Sequence, residues 1–163
     1  MDISKEREMF GDKVDLEKLT PESFFIGLIN EFSNYFQTVG DGFFDEMSWK
    51  QEFMLQCITF FKEPPTIREL AEFLGNSHQN TKQILTKLER TGFVTLIQDE
   101  DDRRKQRIIV TKRAVDFLEK YKEQGMEFKK EMFEMIDSEE LETAIKVITQ
   151  LQAFLKQYQE EKK

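Results

Sequence analysis

The stretch Thr66–Thr111, TIRELAEFLGNSHQNTKQILTKLERTGFVTLIQDEDDRRKQRIIVT, decides how the rest of the chain is read. Thr66 and Glu69 have the spacing of a capping box, in which the threonine accepts from the third helical amide and the glutamate returns to the cap backbone. Ile67, Leu70, Ala71 and Leu74 then give a short helix one apolar face. Gly75 supplies a tight turn, since glycine takes the left-handed backbone that closes a helix at little cost. Ser77 caps a second helix, expected from His78 to about Thr91, which turns Thr81, Ile84, Leu85 and Leu88 inward and stops at Gly92. Phe93, Val94, Leu96 and Ile97 predict a short strand, residues 98–105 a charged loop, and residues 106–110 a returning strand. Two helices across a turn, followed by a hairpin, is the order of a winged helix-turn-helix, which places its second helix in the major groove of DNA.

The second helix has side chains suited to that use. Ser77, His78, Gln79, Asn80, Lys82 and Gln83 face outward in its first turns, and Lys87 follows along the same helix. A helix N-terminus offers free amides to a phosphate, and Gln or Asn can hold an adenine edge bidentately. Taken alone, two amphipathic helices with a glycine between them are equally a solvated surface feature. The hairpin directly behind them tips the reading toward DNA. Its loop contributes Arg103, Arg104, Lys105 and Arg107 as further candidate contacts.

The charge of the whole chain argues the other way at first, because 163 residues carry a formal net charge of −8 and phosphate contacts need Lys and Arg. Its distribution resolves the conflict. Residues 66–113 contain ten Lys/Arg against seven Asp/Glu, a net of +3, which leaves −11 for the remainder. An acidic body with one basic face approaches a duplex in a preferred orientation. The lone cysteine, Cys57, allows no internal disulfide and no CxxC site, and its place on an apolar stripe reads as core. The start MDISKERE lacks the apolar centre of a signal peptide, and no apolar run reaches the ~20 residues that span a bilayer. The expected location is cytoplasmic, with no membrane partner. The single histidine, His78, sits among the DNA-side residues, and no cluster has metal-ligand spacing. No phosphate-binding glycine loop or nucleophile elbow is present. Neither catalytic residues nor a metal or cofactor are expected, and the chain does not read as an enzyme.

The flanks read as helices with more apolar surface than one small domain can bury. Residues 1–19 are charged with scattered apolar residues, equally an arm or a short helix. Thr20 and Pro21 predict a helix start, and Phe24, Phe25, Leu28, Ile29, Phe32, Tyr35 and Phe36 follow at helical spacing. Residues 40–44 are expected as a turn. Ser48 and Gln51 form another capping box, opening a helix expected to run through Phe60 and Phe61 until Pro64 and Pro65 stop it. After Thr111 the helical period resumes to about Met135, and Ser138 is expected to cap a last helix. That helix places Leu141, Ile145, Ile148, Leu151, Leu155 and Tyr158 on one stripe. The expected organisation is an arm and dimerisation helix over 1–44, a winged DNA-binding core over 45–113, and dimerisation helices over 114–163. The fold class is mostly α with a small β-hairpin wing, a winged helix-turn-helix plus terminal dimerisation helices. A dimer contact made by Phe24, Leu28 and the last stripe suits a two-fold reader, whose recognition helices must sit about 34 Å apart. Phe24, Phe25, Phe32, Trp49, Phe53 and Tyr121 would suit a pocket for a small aromatic or apolar effector.

The segment TIRELAEFLGNSHQNTKQILTKLERTGFVTLIQDEDDRRKQRIIVTKRA resembles the core of the MarR family of bacterial transcriptional regulators. The resemblance lies in Glu69, Leu70 and Ala71, in a recognition helix ending Leu88, Glu89 and Gly92, and above all in Asp99, Asp102, Arg103 and Arg104 followed by Ile108, Val110 and Thr111. It implies a homodimer that binds a pseudo-palindromic operator on double-stranded DNA, represses transcription, and releases the operator when a small molecule binds. It also implies backbone or minor-groove contact by Arg103 and Arg104, with Asp102 as a wing-stabilising partner for one of them. The chain departs from the family at Leu96, where an Arg is common, and at Ala114, where a Gly is common. The wing has four acids beside its four bases, so affinity is expected to rest on a correct operator. The alternative is a winged-helix protein-interaction module that has lost DNA binding.

Overall fold

The computed structural model describes residues 20–162. Their elements are α1 (Pro21–Asp41), α2 (Trp49–Ile58), α3 (Ile67–Leu74), α4 (His78–Arg90), β1 (Val94–Gln98), β2 (Gln106–Val110), α5 (Lys112–Phe133) and α6 (Ser138–Glu161). The mostly helical fold with one antiparallel hairpin is the class expected above. The described residues divide into two compact units, one ending at Ala114 and the other starting at Val115. The expected arm over 1–19 lies outside the described residues.

In the first unit, local chemistry sets the helix ends. Thr66 Oγ1 accepts from the Glu69 amide at 3.2 Å while Glu69 Oε2 accepts from the Thr66 amide at 2.7 Å, closing the capping box of α3. Gly75 (φ +65°) ends that helix and Gly92 (φ +76°) follows α4, both in backbone that a β-carbon would strain. Ser77 Oγ accepts from the Asn80 amide at 3.2 Å and starts α4. Leu55, Leu70, Leu85, Leu88, Phe93, Ile108 and Ala114 are buried at the centre of this unit.

The hairpin pairs Val94 with Val110, Leu96 with Ile108 and Gln98 with Gln106. Two further contacts fix it to the helices. Glu89 of α4 accepts from the Leu96 amide at 3.3 Å, and the Ile108 amide donates to the Pro65 carbonyl at 2.9 Å. Residues 64–66 thus run beside β2 like a third strand. At the hairpin base, the Thr111 hydroxyl donates to the Gly92 carbonyl at 2.8 Å and accepts from the Ala114 amide at 3.3 Å, so one side chain closes the wing and opens α5.

Three expectations about boundaries are corrected. Gly40 is helical, not in a turn, because α1 continues to Asp41, whose carboxylate accepts from the Trp49 amide at 2.7 Å. The second helix ends at Ile58, short of Phe60 and Phe61: Thr59 caps it, with its hydroxyl turned back to the Gln56 carbonyl at 2.6 Å. Phe60 accordingly lies 63 % exposed instead of on the apolar stripe. The cap of α6 is Asp137 and not Ser138, since Asp137 and Glu140 make the reciprocal capping-box bonds.

In the second unit, α6 has an apolar face that stays uncovered in the single chain. Ile145, Leu151, Phe154, Leu155 and Tyr158 are all exposed, while Leu141 and Ile148 are half-buried.

Candidate nucleic-acid interface

α4 has two opposite faces. Thr81, Leu85 and Leu88 are buried and Ile84 half-buried, whereas Ser77, His78, Gln79, Asn80, Lys82, Gln83 and Lys87 are exposed. By the 3.6-residue period, Gln79 and Gln83 lie on the middle of the outward line. Thr86 shares that line, three residues beyond Gln83, and was passed over in the sequence, where an exposed threonine carries no charge signal. Lys82 and Lys87 flank it and make no ion pair among the described residues. The face offers amide groups for base edges and ammonium groups for phosphates, on a helix whose N-terminus is open to solvent.

The wing is more ordered than its charge run suggests. Asp99, at the end of β1, accepts from the amides of Asp101 at 3.0 Å and Asp102 at 2.8 Å. The loop closes further where the Asp99 amide donates to the Lys105 carbonyl at 3.1 Å. Asp102 accepts from Arg104 Nε at 3.0 Å and Nη2 at 3.3 Å, and the oxygen that takes Nη2 also lies 3.7 Å from Lys105 Nζ. The amide of Asp102 and the Arg107 guanidinium hold the Asp99 carboxyl below the usual carboxylate range. The Arg104 side chain does the same for Asp102.

The expected wing cations therefore divide. Arg104 and Lys105 are paired with Asp102, and Arg107 bonds Asp99 and lies 3.6 Å from Glu69. Arg103 is exposed and makes no ion pair among the described residues. Sequence reasoning left open which of Arg103 and Arg104 pairs with Asp102, took Lys105 and Arg107 as contacts, and missed Arg113. That side chain donates to the Thr91 carbonyl at the end of α4 at 2.7 Å, pairs with Glu46, and lies 4.6 Å over the Phe93 ring.

The residues expected around an apolar effector are partly brought together. Phe32 stacks on Phe36, Phe36 meets Trp49 edge-on at 4.7 Å, and Trp49 stacks on Phe53 at 5.4 Å. Phe24 and Phe25 are half-buried on α1. Tyr121 belongs to the second unit, where its ring lies 4.8 Å from Phe117. Among the described residues no group of three or more His, Cys, Asp or Glu could hold a metal ion, and no helix is long and apolar enough to cross a membrane.

Residues 60–105, from the end of α2 through the wing tip, match the model of the MarR family. The matched segment holds α3, α4, β1 and the wing loop. The fold is shared well beyond that segment. A MarR protein from Peptoclostridium difficile superposes with a TM-score of 0.79 at 18 % identity, covering 94 % of this chain and 99 % of that one. The MepR–DNA complex of S. aureus gives 0.73 at 18 % identity over 80 % of this chain and 97 % of the other. An organohalide-sensing transcriptional regulator in its 2,4-dichlorophenol-bound form gives 0.76 at 19 % identity, over 86 % and 85 %. No curated protein matches the chain significantly by sequence.

Proposed function

We propose that this chain is a MarR-type, sequence-specific regulator of transcription that binds double-stranded DNA. It acts as a homodimer on a pseudo-palindromic operator, as a repressor relieved by a small molecule. The observation that carries this reading is the juxtaposition on one unit of a recognition helix with an uncommitted polar face and a preformed wing with one unpaired arginine, Arg103. In this reading Gln79, Asn80 and Gln83 read base edges, Ser77, His78, Lys82 and Lys87 hold the backbone, and Arg103 enters the adjoining minor groove, where narrow A/T-rich sequence favours it. The DNA-bound MepR fold and the dichlorophenol-bound regulator support the two halves of the proposal, duplex and aromatic effector. The exposed apolar face of α6 supports self-association through terminal helices, to which the half-buried Phe24 and Leu28 of α1 would add. The aromatic run Phe32–Phe36–Trp49–Phe53 is the place where an apolar effector would insert.

The pairing of Arg104, Lys105 and Arg107 with acids favours a second reading, a winged module that binds protein instead of DNA. Fluorescence anisotropy separates the two. Duplexes tiled upstream of the gene, and a pool selected from random sequence, are titrated at two salt concentrations. A DNA reader saturates on one palindromic sequence with two subunits per site and weakens with salt. Failure of both duplex sets to bind would leave the protein-binding reading in its place.

A further inference from the structure

Arg107 is the most heavily engaged cation of the wing, and its partners come from three places. Its Nε donates to the Asp99 carboxylate, its Nη1 donates to the Pro64 carbonyl at 3.0 Å, and the same nitrogen lies 3.6 Å from Glu69 Oε2. Each partner is itself committed to something else. Asp99, 7 % exposed, uses its other oxygen to gather the amides of the wing loop, and Glu69 closes the capping box of α3. The backbone of Arg107 also bridges to Thr66. A planar guanidinium with donors in a fixed fork can satisfy this divergent set, and an ammonium cannot.

From this arrangement we infer that Arg107 is a positioning residue. It locks the wing loop to the start of the helix-turn-helix so that Arg103 is held in place relative to α4, and it does not contact DNA itself. The inference rests on the DNA-reading proposal above. Without the Arg107 side chain, Asp99 keeps its amide partners but loses its tie to Pro64 and Glu69. The loop then moves as a unit on the hairpin, and binding must pay to order it again.

The test is a double-mutant cycle on the full chain, using a duplex selected from a random pool and anisotropy over a salt series. Arg103→Ala and Arg107→Gln should each weaken binding by roughly tenfold, the loss expected for one arginine contact. The double variant should bind no more weakly than Arg103→Ala, because a wing without Arg103 has nothing left to position. Asp99→Asn retains an oxygen for the loop amides and removes a negative charge from the DNA side, so electrostatics alone would tighten binding. Positioning requires it to weaken binding as Arg107→Gln does. If Arg107→Gln loses its folded circular dichroism, Arg107→Lys, which keeps the charge but not the fork, takes its place in the cycle. Losses that multiply in the double variant, or an Asp99→Asn protein that binds more tightly, overturn the inference alone. A wild-type chain that selects no duplex overturns the DNA-reading proposal and this inference with it.

Discussion

Asp102 grips the Arg104 guanidinium through two hydrogen bonds, at 3.0 Å and 3.3 Å, and accepts from its amide at 3.1 Å, while the neighbouring Arg103 stands exposed and unpaired among the described residues. Adjacent arginines of the same type thus have opposite commitments. A guanidinium free in solution can meet a phosphate or a groove without first breaking a pair.

The first consequence is measurable by salt dependence. Arg103→Ala should lower the slope of log K against log salt by about 0.9, the share of one duplex phosphate contact. Arg104→Ala should change the slope less, since its charge is already balanced by Asp102 in the free protein. Equal slope changes in both variants would mean that the Asp102–Arg104 pair opens on the duplex.

Thr81 is fully buried on the inner face of α4, and its hydroxyl has no hydrogen-bond partner among the described residues. A buried hydroxyl without a partner costs ~1–3 kcal/mol. Thr81→Val keeps the shape and removes that group, so the chain should gain about 1 kcal/mol, read as a Tm rise of ~2–4 °C. DNA affinity should not change, because the side chain faces inward. A fall in Tm would show that the hydroxyl is satisfied in solution.

Gly40 owes its place to Trp49. A β-carbon there would lie 2.9 Å from both Cβ and Cγ of Trp49, whereas a β-carbon on Gly27 meets nothing within 4 Å. Both are helical, so propensity alone favours alanine at each by about 1 kcal/mol. Overpacking costs ~1–3 kcal/mol and wins at Gly40. Gly40→Ala should therefore lower Tm and Gly27→Ala raise it, with tryptophan fluorescence shifted only in the former.

The helix pair was legible because its signals are local. A capping box, a serine cap and a glycine at a turn act within four residues, and α3 and α4 begin where those residues place them. Where two signals competed, the sequence misled. Asp137 and Ser138 are both good caps, and only the return bond from Glu140 decides between them. Pro64 and Pro65 are strong breakers, yet α2 had already ended at Thr59. The division of the wing bases was legible only in part, since the resemblance implied that Asp102 holds one of Arg103 and Arg104 without saying which. Arg107 reaches Asp99 and Pro64 because hairpin register sets it opposite Ile97 and beside Thr66. Nothing in the spacing of Arg103, Arg104 and Arg107 says which is spent.

Burial pushes the Cys57 thiol up to about 11, with the Glu52 carboxylate adding to the effect. The nucleophile in alkylation is the thiolate, so at pH 8 the native chain should label far more slowly than the unfolded one. The labelling rate should follow denaturant through the unfolding transition. Rapid labelling of the folded chain would mean that α2 opens locally.

Acid should act on the wing through three carboxyls. Glu69 is held low chiefly by the Thr66 amide, Asp99 chiefly by the Asp102 amide, and Asp102 chiefly by the Arg104 side chain. Carboxyls with folded pKa values below their unfolded ones contribute stability that is fully present above the unfolded value of about 4. That contribution is lost as pH falls through the folded values. Between pH 5 and 8 the wing network should therefore add a constant amount, and urea midpoints should drop only below about pH 4. In Arg107→Gln the acid-dependent drop should shrink, because Asp99 and Glu69 each lose a cation that favours their charged forms. A variant with an unchanged acid profile would mean that the backbone amides alone keep these carboxyls ionised.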